Sequence, residues 1–171
     1  RGDFPNNYSN DASGRAYGVE LLLNKKLTQK WEGWLAVSLS KTERQDERTG
    51  EKRPFDYDRP VMINWVANYR HNQNWSFGLK WSLRSGGLYT PIVGTRTNAN
   101  NPAVTDPVYG VLNSERLPIY HRLDLRAEYS TPIRIGYLSL FADILNAYGQ
   151  QNVEGYIFSP NGNNLVSTVP N

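Results

Sequence analysis

The chain has 171 residues, enough for one domain, and its 19 basic and 16 acidic residues leave a net charge of +3. These charges are interspersed, whereas nucleic-acid binders concentrate basic residues on one face, so a nucleic-acid partner is not expected. The absence of cysteine excludes disulfides, thiolate zinc sites and thiol nucleophiles. With 39% hydrophobic but 12% aromatic residues, the composition favours a β structure with one polar face over a disordered chain.

Alternation of apolar and polar residues with a period of two predicts the strands. The pattern is clearest from Trp75 to Arg84, where Trp75, Phe77 and Leu79 alternate with small or polar residues. It also appears, in chain order, in residues 15–25, 31–42, 61–70, 75–84, 120–130 and 137–146, with a weaker seventh strand in 152–158. No segment of similar length shows a convincing 3.6-residue period. The sequence therefore predicts an all-β, antiparallel fold.

The predicted connections alternate between short and long. Short turns are expected at 26–30, 71–74 and 131–136, and long connections at about 1–14, 43–60, 85–119 and 159–171. A meander with short turns at one end and long loops at the other is typical of bacterial outer-membrane barrels, whose strands hide their hydrophobicity in alternation. We expect the connection 85–119 to lack secondary structure of its own, which is usually a sign of function.

Two further features favour a membrane barrel. The best strands have about the 9–11 residues that a tilted strand needs to cross a bilayer. Large aromatic residues border the short turns, as in the aromatic girdle of a barrel. These residues are Trp31, Tyr69, Trp75, Tyr129 and Tyr137. The alternative is that these aromatic side chains cap the core of a soluble sandwich.

Arg122, Asp124, Arg126 and Glu128 alternate with Leu123, Leu125 and Ala127 on one predicted strand. Asp124 and Glu128 would lie roughly 13 Å apart, wider than the two carboxylates of a glycoside hydrolase. We therefore predict a charged wall facing a hydrated lumen and no enzymatic activity. The alternative is the solvated outer face of an ordinary sheet.

The long connections are the expected ligand-binding region. Residues 41–59 carry balanced charges, typical of a solvated surface loop. Within 85–119, Tyr89, Arg96, Tyr109 and Arg116 are candidate ligand contacts because tyrosine and arginine are favoured binding residues. The alternative is a long exposed loop without a ligand. The two histidines, His71 and His121, lack metal-ligand spacing, so neither a metal nor a cofactor is expected.

The order of several motifs resembles the C-terminal part of TonB-dependent outer-membrane receptors. From about Gly14 to Tyr156 the chain contains GRAYGVELLLNKKL, PFDYDRP, SGGLYTP, RLPIYHRLDLRAEYS and LSLFADILNAYGQQNV in this order. Each motif alone is loose, and the resemblance rests on their order and spacing.

The resemblance implies an up-and-down transmembrane barrel of about 22 strands, to which this chain contributes about six or seven. It implies an outer-membrane location with contacts to lipid and a plug domain through which TonB supplies energy. It also implies import of a scarce nutrient, often a ferric siderophore, bound by the extracellular loops. Neither a plug domain nor the family's usual final strand is apparent in the sequence, so we expect the chain to be part of a larger protein.

Two other hypotheses remain at this point. The chain could form most of a small outer-membrane barrel that acts as a passive channel or an adhesin. It could also be a soluble β-sandwich that binds a ligand. The alternation of one strand fits all three hypotheses, because it shows that two faces differ and not what each face meets.

Overall fold

The computed structural model describes residues 12–158 and 164–168. It contains β1 (Ala12–Thr28), β2 (Trp31–Asp46), β3 (Lys52–Pro54), β4 (Val61–Arg70), β5 (Trp75–Arg84), β6 (Leu88–Tyr89), β7 (Ile92–Thr97), β8 (Thr105–Tyr109), β9 (Glu115–Arg116), β10 (Tyr120–Ile133), β11 (Gly136–Ile144), β12 (Val153–Phe158) and β13 (Asn164–Thr168). Every strand pairing is antiparallel, which confirms the all-β prediction. None of the described residues lies in a helix long and apolar enough to cross a membrane.

A seven-stranded sheet organises the chain. Its strands follow the order β1-β2-β4-β5-β10-β11, and β3 pairs with β2 beside this path. Strands on the path therefore lie next to their predecessors along the chain, apart from the short strands inserted in the long connections. Within residues 12–158 and 164–168, β1 and β11 do not pair with each other, so the sheet is open at both edges.

The first hairpin is longer than the alternation predicts. β1 begins at Ala12, which pairs with Asp46 at the end of β2. Pairing continues because backbone hydrogen bonds do not require apolar side chains, and opposite charges such as Arg15 and Glu43 face each other in the extension. Residues 43–46 and β3 are therefore strands, where the sequence predicts a long connection over 43–60. Residues 12–14 likewise belong to β1, where it predicts a connection over 1–14.

The connection 85–119 is also structured, contrary to prediction. β6 pairs with β9, and between them β7 pairs with β8. The inner turn is closed by Asn98, whose Oδ1 accepts hydrogen bonds from the amides of Asn100 and Asn101 at 2.8 and 3.0 Å. This Asx-type turn lets a polar, Asn-rich segment form a hairpin without an apolar pattern.

The end of the chain departs from a simple meander. The seventh predicted strand is confirmed as β12, but β12 pairs with β13 in a separate two-stranded sheet. The predicted connection 159–171 is therefore wrong for 164–168. The rest of that segment and the predicted connection over residues 1–11 lie outside the described residues.

Register divides the main sheet into an apolar and a polar face. One row across five strands consists of Leu23, Leu35, Trp65, Trp81 and Leu123. This apolar face is not covered, since Val19, Trp65 and Leu140 are 72%, 45% and 59% exposed. Among the described hydrophobic residues only Leu117 is buried. The chain exposes 13168 Å², against the roughly 8,500 Å² expected of a compact protein of its mass.

Candidate functional site

The charged wall (Arg122, Asp124, Arg126 and Glu128) lies on the polar face of β10. Arg122 donates from Nε and Nη2 to Oδ2 of Asp124 at 3.1 and 2.7 Å. Arg126 donates to both carboxylate oxygens of Asp143 on β11 at 2.8 and 3.1 Å. Glu128 accepts a hydrogen bond of 3.2 Å from the Ser130 hydroxyl. Each charged group of the wall therefore has a hydrogen-bond or ion-pair partner on β10 or β11.

An aromatic belt (Trp31, Tyr69, Trp75 and Tyr129) borders the short turns on the apolar face. The ring centroids of Trp31 and Tyr69 lie 4.6 Å apart, and those of Trp75 and Tyr129 lie 5.1 Å apart. Tyr137, the fifth predicted member, is on the other face, because it pairs with Pro132 while its neighbour Leu138 pairs with Thr131. Its assignment to the belt is wrong, since neighbouring residues of a strand point to opposite faces.

A loop clamp (Thr42, Asp58 and Arg116) joins both long connections to β2. Oδ1 of Asp58 accepts hydrogen bonds from the amide and the hydroxyl of Thr42, each at 2.8 Å. Arg116 forms an ion pair with Oδ2 of Asp58 and donates to the carbonyl of Asp58 at 2.9 Å. Asp58 is only 3% exposed. The predicted ligand contact Arg116 is therefore engaged in holding the loops together.

The clamp keeps the Asp58 carboxylate ionised. Burial would raise its pKa, but the hydrogen bonds from Thr42 and the ion pair with Arg116 outweigh this effect and lower the pKa below its ordinary value. Asp58 was not predicted as a site residue, although it lies in the PFDYDRP motif. The only available signal was an acidic residue between aromatic and basic ones, and that signal does not reveal a partner 58 residues away.

Beside the clamp, Gly86 lets two backbone segments approach closely. Gly86 is buried, and a Cβ placed on it would lie 1.7 Å from the carbonyl oxygen of Leu117. Beside this contact, the backbone amide of Leu117 donates a hydrogen bond of 2.8 Å to the carbonyl oxygen of Gly87. A side chain at position 86 would therefore force the backbones of the two segments apart.

We expect Gly86→Ala to destabilise the packing of 85–119 by about 2 kcal/mol, because the clashing atom belongs to the backbone and cannot rotate away. Limited proteolysis should show faster cleavage within 85–119. Gly94→Ala is the matched control, since nothing lies within 4 Å of a Cβ at that glycine. Equal cleavage rates in both variants would contradict the prediction.

A tyrosine cavity (Tyr89, Tyr109 and Tyr156) lies among the long connections. Its volume is about 210 Å³, and Thr90, Pro91, Ile92 and Phe158 complete the lining. The ring centroids of Tyr89 and Tyr156 are 4.9 Å apart. Of the predicted ligand contacts, the structure brings Tyr89 and Tyr109 together here, while Arg96 lies exposed on β7, opposite Asp106. Tyr156 was not predicted, because only folding brings β12 next to β6.

Two cavities open on the polar face of the sheet. One, of about 730 Å³, lies at the short-turn end and includes Glu32, Arg70, Arg126 and Glu128 in its lining. The other, of about 300 Å³, lies towards the long connections between β4, β5 and β10. Among the described residues no group of three or more His, Asp or Glu side chains is arranged to hold a metal ion.

No family model matches the chain, and comparisons with curated proteins and with solved structures found no significant match.

Proposed function

We propose that this chain forms part of the barrel wall of a TonB-dependent outer-membrane receptor that binds and imports a scarce nutrient, with a ferric siderophore as the first ligand to test. The observation that carries the proposal is the contrast between the two faces of one antiparallel sheet. One face exposes continuous rows of apolar side chains, and the other holds paired charges and polar cavities.

The dimensions of the apolar face suit a bilayer. β4 and β5 have 10 residues each, a length of roughly 34 Å along the strand and about 24 Å across a membrane at a tilt near 45°. The outward apolar band of outer-membrane barrels is about 25 Å tall and is flanked by aromatic residues. The aromatic belt occupies one border of this face.

A soluble sandwich would need a second layer over the apolar face. Trp65 lies in a central row of that face on β4, and it is still 45% exposed. Lipid would cover such a surface without a second sheet. The open edges at β1 and β11 would be paired by further strands of a larger barrel, because unpaired backbone groups in lipid cost several kcal/mol each.

The long connections suit recognition of a small ligand. The loop clamp holds two of them against β2, and the tyrosine cavity opens between their strands and β12. Rigid aromatic side chains provide contact area at a low cost in conformational entropy. On the proposed orientation these loops face outside and the short turns face the periplasm.

Cell fractionation and growth together test the proposal. We expect the protein to be found in the outer membrane and to require detergent for extraction. We also expect loss of its gene to slow growth on ferric siderophores under iron limitation, with recovery when soluble iron is in excess. A monomeric protein that folds in water without detergent would contradict the membrane assignment. Normal growth on every chelate tried would contradict the choice of siderophore as ligand.

A further inference from the structure

The smaller polar cavity carries more positive charge than the one carboxylate in its lining neutralises. Its charged lining consists of Lys80, Arg84, Arg122 and Asp124. Arg122 and Asp124 already form an ion pair of 2.7 Å. Among the described residues, neither Lys80 nor Arg84 has an ion pair, although Lys80 is opposite Asp124 in the register. Asp124 interacts with Arg122 and, at longer range, with Lys80, so three cations of the lining face a single carboxylate.

Arg84 is held in place by an aromatic ring. Its guanidinium carbon lies 4.2 Å from the centroid of Tyr120, the residue opposite it on β10. A cation–π contact orients the guanidinium plane and leaves its N–H donors free for other partners. Tyr120 itself lines the same cavity. The geometry thus presents a positioned donor group rather than a mobile surface side chain.

Arg59 adds a third cation at this end of the polar face. Its Nη1 atom is buried and has no hydrogen-bond partner among the described residues. The guanidinium is packed against Gly87, where a Cβ would lie 2.7 Å from Nη1. The neighbouring carboxylate of Asp58 is engaged by Thr42 and Arg116. Burial is the main cause that lowers the pKa of Arg59, the nearby Arg84 and Arg116 add to it, and Asp58 opposes it.

We propose that this cationic cavity (Lys80, Arg84 and the neighbouring Arg59) binds a small polyanion with carboxylate or phosphate groups. Guanidinium groups form paired, charge-assisted hydrogen bonds with both kinds of anion, and an ammonium group adds a point charge. A multiply charged anion would supply the negative charge that the local carboxylates lack. This inference rests on the proposed function and narrows its nutrient to an anionic compound, such as a polycarboxylate chelate or a phosphate ester.

Equilibrium dialysis of the full protein in detergent micelles tests the site with two radiolabelled probes, citrate and inorganic pyrophosphate. We expect saturable binding of at least one probe that weakens as salt is added, because the attraction is electrostatic. Arg84→Gln should weaken binding by about tenfold, as expected for loss of a hydrogen bond to a charged group. The probe that binds with the higher affinity shows whether the site prefers carboxylate or phosphate groups.

Arg134→Gln is the matched control, since it removes an exposed arginine in the turn between β10 and β11 that does not line the cavity. Its binding should equal that of the unchanged protein, and near-ultraviolet circular dichroism should show that both variants are folded. Absence of binding by both probes, or equal binding by Arg84→Gln and Arg134→Gln, would overturn the inference.

The outcome is separable from that of the proposed function. Uptake of a neutral chelate by a protein that binds neither anion would leave the receptor function standing and remove the anion site. Anion binding by a protein found outside the outer membrane would support the anion site and contradict the receptor function.

Discussion

Replacement of Leu79 by arginine should destabilise the protein in a bilayer by about 2–4 kcal/mol, the cost of an arginine on the lipid face near the membrane midplane. Leu79 is central to the apolar face, between Ala67 on β4 and Leu125 on β10. Reversible urea unfolding in lipid vesicles, monitored by tryptophan fluorescence, measures the difference in the free energy of unfolding.

Ser76→Arg is the control for this substitution. Ser76 is on the same strand but on the polar face, opposite Glu128. The new charge would meet a carboxylate and water, so we expect a change of less than about 1 kcal/mol. Similar free energies of unfolding for Leu79→Arg and Ser76→Arg would show that the two faces meet the same environment, and this would exclude the barrel.

Asp58→Ala should lower the free energy of local opening of the long connections by about 3 kcal/mol. Removing one partner of a buried ion pair is costly because the other partner loses its compensation. Here the expected loss is near the low end of the usual range, since the Arg116 side chain is 33% exposed. The Thr42 amide and hydroxyl lose their acceptor in the same variant. We therefore expect about 100-fold faster hydrogen exchange at the Leu117 amide, which bonds to Gly87 O.

Glu51→Ala is the matched control for the clamp, because it removes an exposed carboxylate from the same connection. Its exchange at Leu117 should be unchanged. Unchanged exchange in Asp58→Ala as well would show that the ion pair does not hold the connections together.

The clamp should also depend on pH. The folded-state pKa of Asp58 is lowered, so its stabilising contribution is complete above the unfolded value of about 3.9 and is lost as the pH falls through the lower folded value. Protection of the Leu117 amide, corrected for intrinsic exchange, should fall below pH about 4 in the unchanged protein. In Asp58→Asn this fall should be absent, and a fall of the same size would attribute the effect to another group.

Alternation of side chains was sufficient to predict the main strands. The cleanest pattern, from Trp75 to Arg84, matches β5 residue for residue. Short-range patterns succeed here because each strand has one apolar and one polar face, and the period of two records this directly. They failed where strands lack an apolar alternation, as in the extension of β2 to Asp46 and in β6 to β9.

The candidate site was less accessible to sequence reasoning. Residue type predicts Tyr89 and Tyr109 as ligand contacts, and the structure brings both into one cavity with Tyr156. Residue type also predicts Arg116 as a ligand contact, yet Arg116 forms an ion pair with Asp58. Residue type shows what a side chain is able to bind, whereas its actual partner depends on contacts between distant parts of the chain.

By itself, the sequence determined that this protein is all-β with antiparallel strands and one polar face, since these properties follow from neighbours two positions apart. Only the tertiary structure decided which strands are adjacent and that Asp58 forms an ion pair with Arg116. It also brought Arg59, from the connection before β4, near Arg84 on β5. Register and loop packing depend on hydrogen bonds between residues far apart in the chain, and local alternation carries no record of those pairings.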